Sequence, residues 1–185
     1  MSNHVCPWWL GYLQIIPFRR WQYDPTETLR PYVRQGMIVL EPGPGMGFFT
    51  IPLARLVGSS GRVIAVDLQA KMIAGLKRRA AKAGVLDRID ARVVSADTMG
   101  LDDLAGKVDF TLAFAVVHEF PDAQHFFAEV SRASKAGALA LLTEPRGHVK
   151  HGNFEAELVA AAASQFAVTA RPVIRRSHAV VLEKR

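Results

Sequence analysis

At 185 residues, half of them apolar and 22% charged, the chain suits one well-buried core, is short for two, and lies far from the composition of a disordered segment. Its formal net charge of +6 comes partly from Lys77, Arg78, Arg79 and Lys82 on one candidate helix and from Arg171, Arg175, Arg176, Lys184 and Arg185 near the end. Such clusters suit a solvated face as well as a phosphate backbone, so charge alone does not select nucleic acid as a partner. The lone Cys6 excludes an intrachain disulfide, no secretory signal opens the chain, and the apolar stretch 5–18 is broken by Pro7 and Pro17 and too short to cross a bilayer. The expected setting is cytoplasmic, with no membrane span.

Residues 1–36 hold Trp8, Trp9, Trp21, Tyr12 and Tyr23 together with Pro7, Pro17 and Pro25. This aromatic extension is expected to pack against the domain or against a second copy in a homodimer, or to close over a site as a lid. From residue 37 to 185 the hydrophobic period alternates. Short β-branched runs predict strands at 37–40, 63–66, 91–94, 108–114 and 138–143, and helical spacing predicts helices at 49–57, 70–83, briefly at 101–104, and at 123–134. A helix at 153–166 then precedes two strand-like segments, 168–174 and 179–183, whose short basic connection predicts an antiparallel pair. Strand and helix in alternation predict an α/β fold: a doubly wound, mostly parallel sheet of seven strands with the last antiparallel.

The most informative stretch joins the first strand to the first long helix: Glu41-Pro42-Gly43-Pro44-Gly45-Met46-Gly47-Phe48. Glycines at alternate positions allow positive φ and let a ligand approach the backbone, and the helix start points at whatever sits there. A dinucleotide would want glycine where Phe48 stands, and Glu41 would repel its pyrophosphate. The same acid favours a cationic ligand.

This turn resembles the first motif of the class I S-adenosylmethionine-dependent methyltransferases, an acid followed by three alternate glycines. The resemblance implies that Glu41, Gly43, Gly45 and Gly47 hold the methionine part of S-adenosylmethionine, whose product is S-adenosylhomocysteine, on a Rossmann-like methyltransferase fold. Asp67 ends the second strand 20 residues beyond Gly47, where a ribose acid is expected; its carboxylate can accept both hydroxyl hydrogens or cap the following helix. Leu68 and Met72 are the expected apolar neighbours of the adenosine. At the end of the third strand, the resemblance implies that Asp97, followed by Thr98, reads the adenine amine.

Open α/β sheets bind ligands beyond the carboxyl ends of their strands. Strand four ends at Phe114, assigned to the cofactor side, and runs into His118-Glu119-Phe120-Pro121-Asp122, which resembles the His-x-x-Pro-Asp segment of small-molecule methyltransferases related to quinone biosynthesis. Strand five runs into Glu144. His118 and Glu144 are the candidate catalytic residues, His118 as a general base or as a group that shapes the pocket and helps cap the helix beginning at Pro121. No metal is expected, since Glu119, Glu144, His148 and His151 have neither the i, i+4 helical zinc pattern nor paired cysteines.

The reading is therefore methyl transfer to a small molecule. The Asn/Asp-Pro-Pro-Tyr/Phe sequence of amino-methylating enzymes is missing after strand four, which argues against nucleic acid. An RNA methyltransferase using the basic helix, a nicotinamide-dependent oxidoreductase and a non-catalytic cofactor-binding protein are the alternatives.

Overall fold

The computed structural model of the chain describes residues 24–185. Its strands lie in one seven-stranded sheet, β1 (Ile38–Pro42), β2 (Arg62–Asp67), β3 (Ile89–Val93), β4 (Val108–Phe114), β5 (Ser134–Pro145), β6 (Phe166–Ala170) and β7 (Ser177–Lys184), in the order β3-β2-β1-β4-β5-β7-β6. β1 pairs parallel to β2, β2 to β3, and β4 to β5, whereas β7 runs antiparallel between β5 and β6. The predicted terminal antiparallel strand is thus β7. The described residues cluster into two compact units, 24–99 and Gly100–Arg185. The expected lid residues Trp8, Trp9 and Tyr12 lie outside the described residues.

The first unit opens with the short helix α1 (Pro25–Leu29), started by Asp24, whose Oδ1 accepts the Thr26 N–H at 2.8 Å and the Glu27 N–H at 3.3 Å. Leu29 and Val33 are buried and α1 packs on α2 (Thr50–Val57), so this last part of the predicted extension joins the core. α2 packs on β1 and β2, and α3 (Ala70–Lys82) on β2 and β3. Val63, Ile64, Ala65 and Val66 are all buried, as expected of a parallel strand covered on both faces.

In the second unit, α4 (Ala123–Ala133) and α5 (His151–Ala163) pack on each other, α4 also on β5 and α5 on β6. Phe110, Phe126, Phe127 and Phe154 form the bulk of this core, with Phe126 and Phe127 edge to face at 5.2 Å. β5 is longer than its apolar run 138–143. It starts at Ser134, which pairs with Val108 across a register shift; the polar start hides it from a hydrophobicity reading. α5 ends at Ala163 rather than 166 because Gln165 takes φ +68, which stops the helix and releases buried Phe166 to β6. β6 stops at Ala170, short of the expected 174; Pro172 follows, and Val173 is fully exposed.

Candidate functional site

In the first unit the glycine turn follows β1 directly. Gly43, Gly45 and Gly47 all take positive φ, +64, +53 and +85. At Gly47 a Cβ would come within 2.5 Å of Leu76 Cδ1, which would have to move aside, and φ +85 itself favours glycine there. The turn is pinned by Gly43 N–H donating to Val66 O at 2.9 Å and Gly47 N–H to Pro44 O at 2.9 Å. The start of α2 has no side-chain cap.

Glu41 is 3% exposed, and its Oε2 is buried without a hydrogen-bond partner among the described residues, as is the Thr50 hydroxyl. Burial pushes its carboxyl up to about 8; the Thr50 hydroxyl nearby works against this, and Asp67 adds to it. Asp67 Oδ1 accepts the Gln69 N–H at 2.8 Å, so the helix-start role foreseen for it is partly real. Its pKa is also raised by burial, opposed by the Gln69 and Gly45 N–H groups. A carboxylate has about four acceptor positions, so these two donors leave capacity for a ligand hydroxyl.

Leu68 is 40% exposed at the end of β2, and Asp97 and Thr98 are exposed beyond β3. Met72, in contrast, is buried on α3 at 3% exposure, on the face that carries Gly75 and Leu76.

In the second unit the two candidate catalytic residues meet. β4 and β5 pair in a register that sets Phe114 against Thr143, so the residues just beyond each end lie together. Glu144 is fully buried; its Oε1 accepts the Val117 N–H at 2.8 Å and the His118 N–H at 3.4 Å, and its Oε2 lies 2.5 Å from His118 Nδ1. A carboxylate only accepts, which assigns the ring hydrogen to Nδ1 and leaves Nε2 to act as a base. The hydrogen bond to Glu144 raises the His118 pKa, burial lowers it, and the nearby charges of Glu144, Glu119 and Glu157 raise it again. The side chain stays 28% exposed. Phe114, at the end of β4, is half-buried.

The capping role foreseen for His118 does not hold. His118 sits in a 3-10 turn, Val117–Glu119, while α4 is started by Asp122, whose Oδ1 accepts the Gln124 and His125 N–H groups at 2.8 and 3.2 Å. Asp109, near the start of β4, pairs with Lys135 at 2.5 Å.

Two features of this unit escape a motif reading. Ala115, immediately after β4, has φ +56, an uncommon conformation for a residue with a side chain; its N–H donates to Thr143 O at 2.7 Å. Glu157 is buried on α5 with Oε2 unpartnered among the described residues, and burial together with Glu144 pushes its carboxyl up to about 8, His118 opposing. Its signal was available: Phe154, Glu157, Leu158 and Ala161 form the buried helical stripe, and a carboxylate in such a stripe is anomalous.

His148 stacks over His118 with ring centroids 6.4 Å apart. Among the described residues no group of three or more His, Cys, Asp or Glu is placed to hold a metal, and no helix among them is long and apolar enough to cross a membrane.

Comparison with known proteins gives three findings. A family described as "Methyltransferase domain" matches residues 39–137. A curated protein of Saccharolobus solfataricus, "Probable cobalt-precorrin-6B C(15)-methyltransferase (decarboxylating)", is 42% identical over 74 residues, which is 40% of this chain and 37% of that protein, so the match spans little more than a third of the relative. Among solved structures, a SAM-dependent methyltransferase from Aquifex aeolicus superposes with a TM-score of 0.85 at 21% identity, covering 97% of this chain and 99% of the other. Geranyl diphosphate C-methyltransferase from Streptomyces coelicolor A3(2), in a complex containing S-adenosyl-L-homocysteine, superposes with a TM-score of 0.72 at 15% identity, covering 88% and 76%. At these identities the superpositions show the shared fold.

Proposed function

We propose that this chain, which belongs to the methyltransferase domain family, transfers a methyl group from S-adenosylmethionine to a small-molecule acceptor. The observation that carries the cofactor assignment is Glu41: a buried carboxyl with an oxygen unsatisfied among the described residues, directly before three positive-φ glycines, is a poor feature of a finished core, and a cation brought beside it would ionise it and satisfy that oxygen. S-adenosylmethionine brings an ammonium and a sulfonium to such a turn. Gly43, Gly45 and Gly47 would face its methionine part, Asp67 with Leu68 the ribose and adenosine, and Asp97 with Thr98 the adenine edge; Phe114 is assigned to the cofactor side. Met72 would support the turn from beneath, given its burial.

When bound, S-adenosylmethionine supplies a methyl carbon whose bond to sulfur breaks with both electrons going to sulfur. Residues of the second unit govern the acceptor. As an acceptor oxygen, nitrogen, sulfur or carbon forms its bond to the methyl carbon, His118 Nε2 takes the proton that atom gives up, and Glu144, anchored by the Val117 N–H, holds the imidazole in the required tautomer. The raised His118 pKa makes it a stronger base than free histidine.

A small acceptor is supported by the relatives whose names specify one, a cobalt-precorrin and geranyl diphosphate. RNA is the second reading, favoured by Lys71, Lys77, Arg78 and Lys82, all exposed on α3. Incubating the protein with methyl-labelled S-adenosylmethionine, and separately with a small-molecule cell fraction and with total RNA, separates the two. Label in the small-molecule fraction, lost in His118→Ala, is the expected result; label in RNA alone would replace the small-molecule reading.

A further inference from the structure

Arg79 belongs by sequence to the basic run Lys77, Arg78, Arg79, Lys82, yet it leaves that face. It is half-buried, and its guanidinium donates to the backbone carbonyl of Met46, between Gly45 and Gly47 in the glycine turn. Resting on the cofactor reading above, we propose that Arg79 is a positioning residue that clamps this turn in its ligand-receiving shape.

The turn needs a clamp. Glycine loses more backbone freedom on ordering than any other residue, and three of them stand at alternate positions here. The following helix adds only the Ile51 N–H, 3.5 Å from Gly47 O, because Phe49 at its start makes no side-chain capping bond. Beyond the two backbone bonds that pin the turn, the support comes from one face of α3. Met72, Gly75, Leu76 and Arg79 recur at three- and four-residue spacing and so line up on that face.

Each of the last three touches the turn. A Cβ on Gly75 would stand 3.2 Å from Met46 Cγ and 3.5 Å from its sulfur, so glycine there lets the Met46 side chain lie on the helix. Leu76 Cδ1 sits against the Cα of Gly47, filling the space a Cβ would take. Arg79 then adds the polar contact, one helical turn beyond Gly75. Apolar packing sets how far the turn stands from α3 but resists sliding and rotation weakly; a directional hydrogen bond to the Met46 carbonyl fixes the orientation of that peptide. The peptide joins Met46 to Gly47, whose N–H already donates to Pro44 O at 2.9 Å, so Arg79 braces from the carbonyl side a peptide held at its N–H. Burial lowers the Arg79 pKa, in keeping with a guanidinium drawn out of water to make this bond.

The test compares wild type with Arg79→Met, Arg79→Lys and the control Lys82→Met, which removes the same charge from the exposed face of the same helix. Three quantities are read: the dissociation constant of S-adenosylhomocysteine by calorimetry, the amide exchange rates of Gly45 and Gly47 without ligand, and those of β2. Arg79→Met is expected to weaken binding about 10-fold, the scale of one hydrogen bond from a charged donor, and to speed exchange at Gly45 and Gly47 while β2 keeps its protection. Lys lacks the planar fork and should recover only part of the affinity. Lys82→Met should match wild type.

Equal loss in Lys82→Met would assign the effect to charge and overturn the clamp. So would unchanged turn exchange in Arg79→Met, or exchange that rises equally in β2. Wild type that binds no S-adenosylhomocysteine would defeat the cofactor reading instead, and the exchange comparison would still decide the clamp.

Discussion

The two units prepare their chemistry in opposite ways. In 24–99 the feature is a backbone shape, three positive-φ glycines beside a carboxyl whose Oε2 has no partner among the described residues. In Gly100–Arg185 it is a side-chain pair, His118 and Glu144, with both Glu144 oxygens engaged by the protein itself. A site left unsatisfied waits for a ligand to complete it, whereas a satisfied pair is already set to move a proton. The first should therefore govern affinity for S-adenosylmethionine, and the second the turnover of the acceptor.

That division can be broken by mutation. The largest effect belongs to His118→Ala: kcat/KM should fall by about 100- to 10,000-fold, the range for removing a general base, with S-adenosylhomocysteine affinity within twofold of wild type. Glu144→Gln should fall in the same direction, because an amide facing Nδ1 no longer fixes the tautomer; a loss of cofactor affinity in either variant would merge the two roles. Next comes Asp67→Ala, which should weaken S-adenosylhomocysteine roughly 100-fold by calorimetry, since two charge-assisted hydrogen bonds go with it. Gly47→Ala follows. Leu76 can shift its terminal methyl, but φ +85 is strained for alanine, so melting should fall by several degrees and binding weaken with it.

The smallest effect concerns pH. Glu157 keeps its proton in the folded chain up to about 8, against an ordinary value of 4.5. Between those values the unfolded chain ionises and the folded one does not, so this group's contribution to stability is full below about 4.5 and is lost as pH rises through about 8. Glu41 acts with the same sign in the other unit. Melting temperatures taken from pH 5 to 8 should fall, and the fall should be shallower in Glu157→Gln. An unchanged slope in that variant would mean Glu157 is not the buried acid described.

How much of this the chain announces in advance also differs between the units. The glycine turn is contiguous, and residue type alone dictates its positive φ, so Glu41 to Gly47 could be picked out before any fold was known. His118 and Glu144 were each recognisable as polar residues beyond strand ends, but their contact joins positions 26 apart and depends on the β4–β5 register and on Ala115 turning at φ +56. Arg79 was hidden by its neighbours, since four basic residues in six positions read as one solvated face. Glu157 was hidden differently: α5 was expected, but its buried face was not traced to the one carboxylate on it. The capping role given to His118 failed because Asp122, the residue immediately before α4, takes it.

The central claim is the cofactor. Melting of wild type and Asp67→Ala with S-adenosylmethionine, S-adenosylhomocysteine and reduced nicotinamide dinucleotide tests it directly. A ligand at about 100 times its dissociation constant should raise the wild-type midpoint by about 5–10 °C. The account predicts that shift with both adenosyl ligands, its reduction in Asp67→Ala, and none with the nicotinamide; a shift with the nicotinamide alone, or with none of the three, would contradict it.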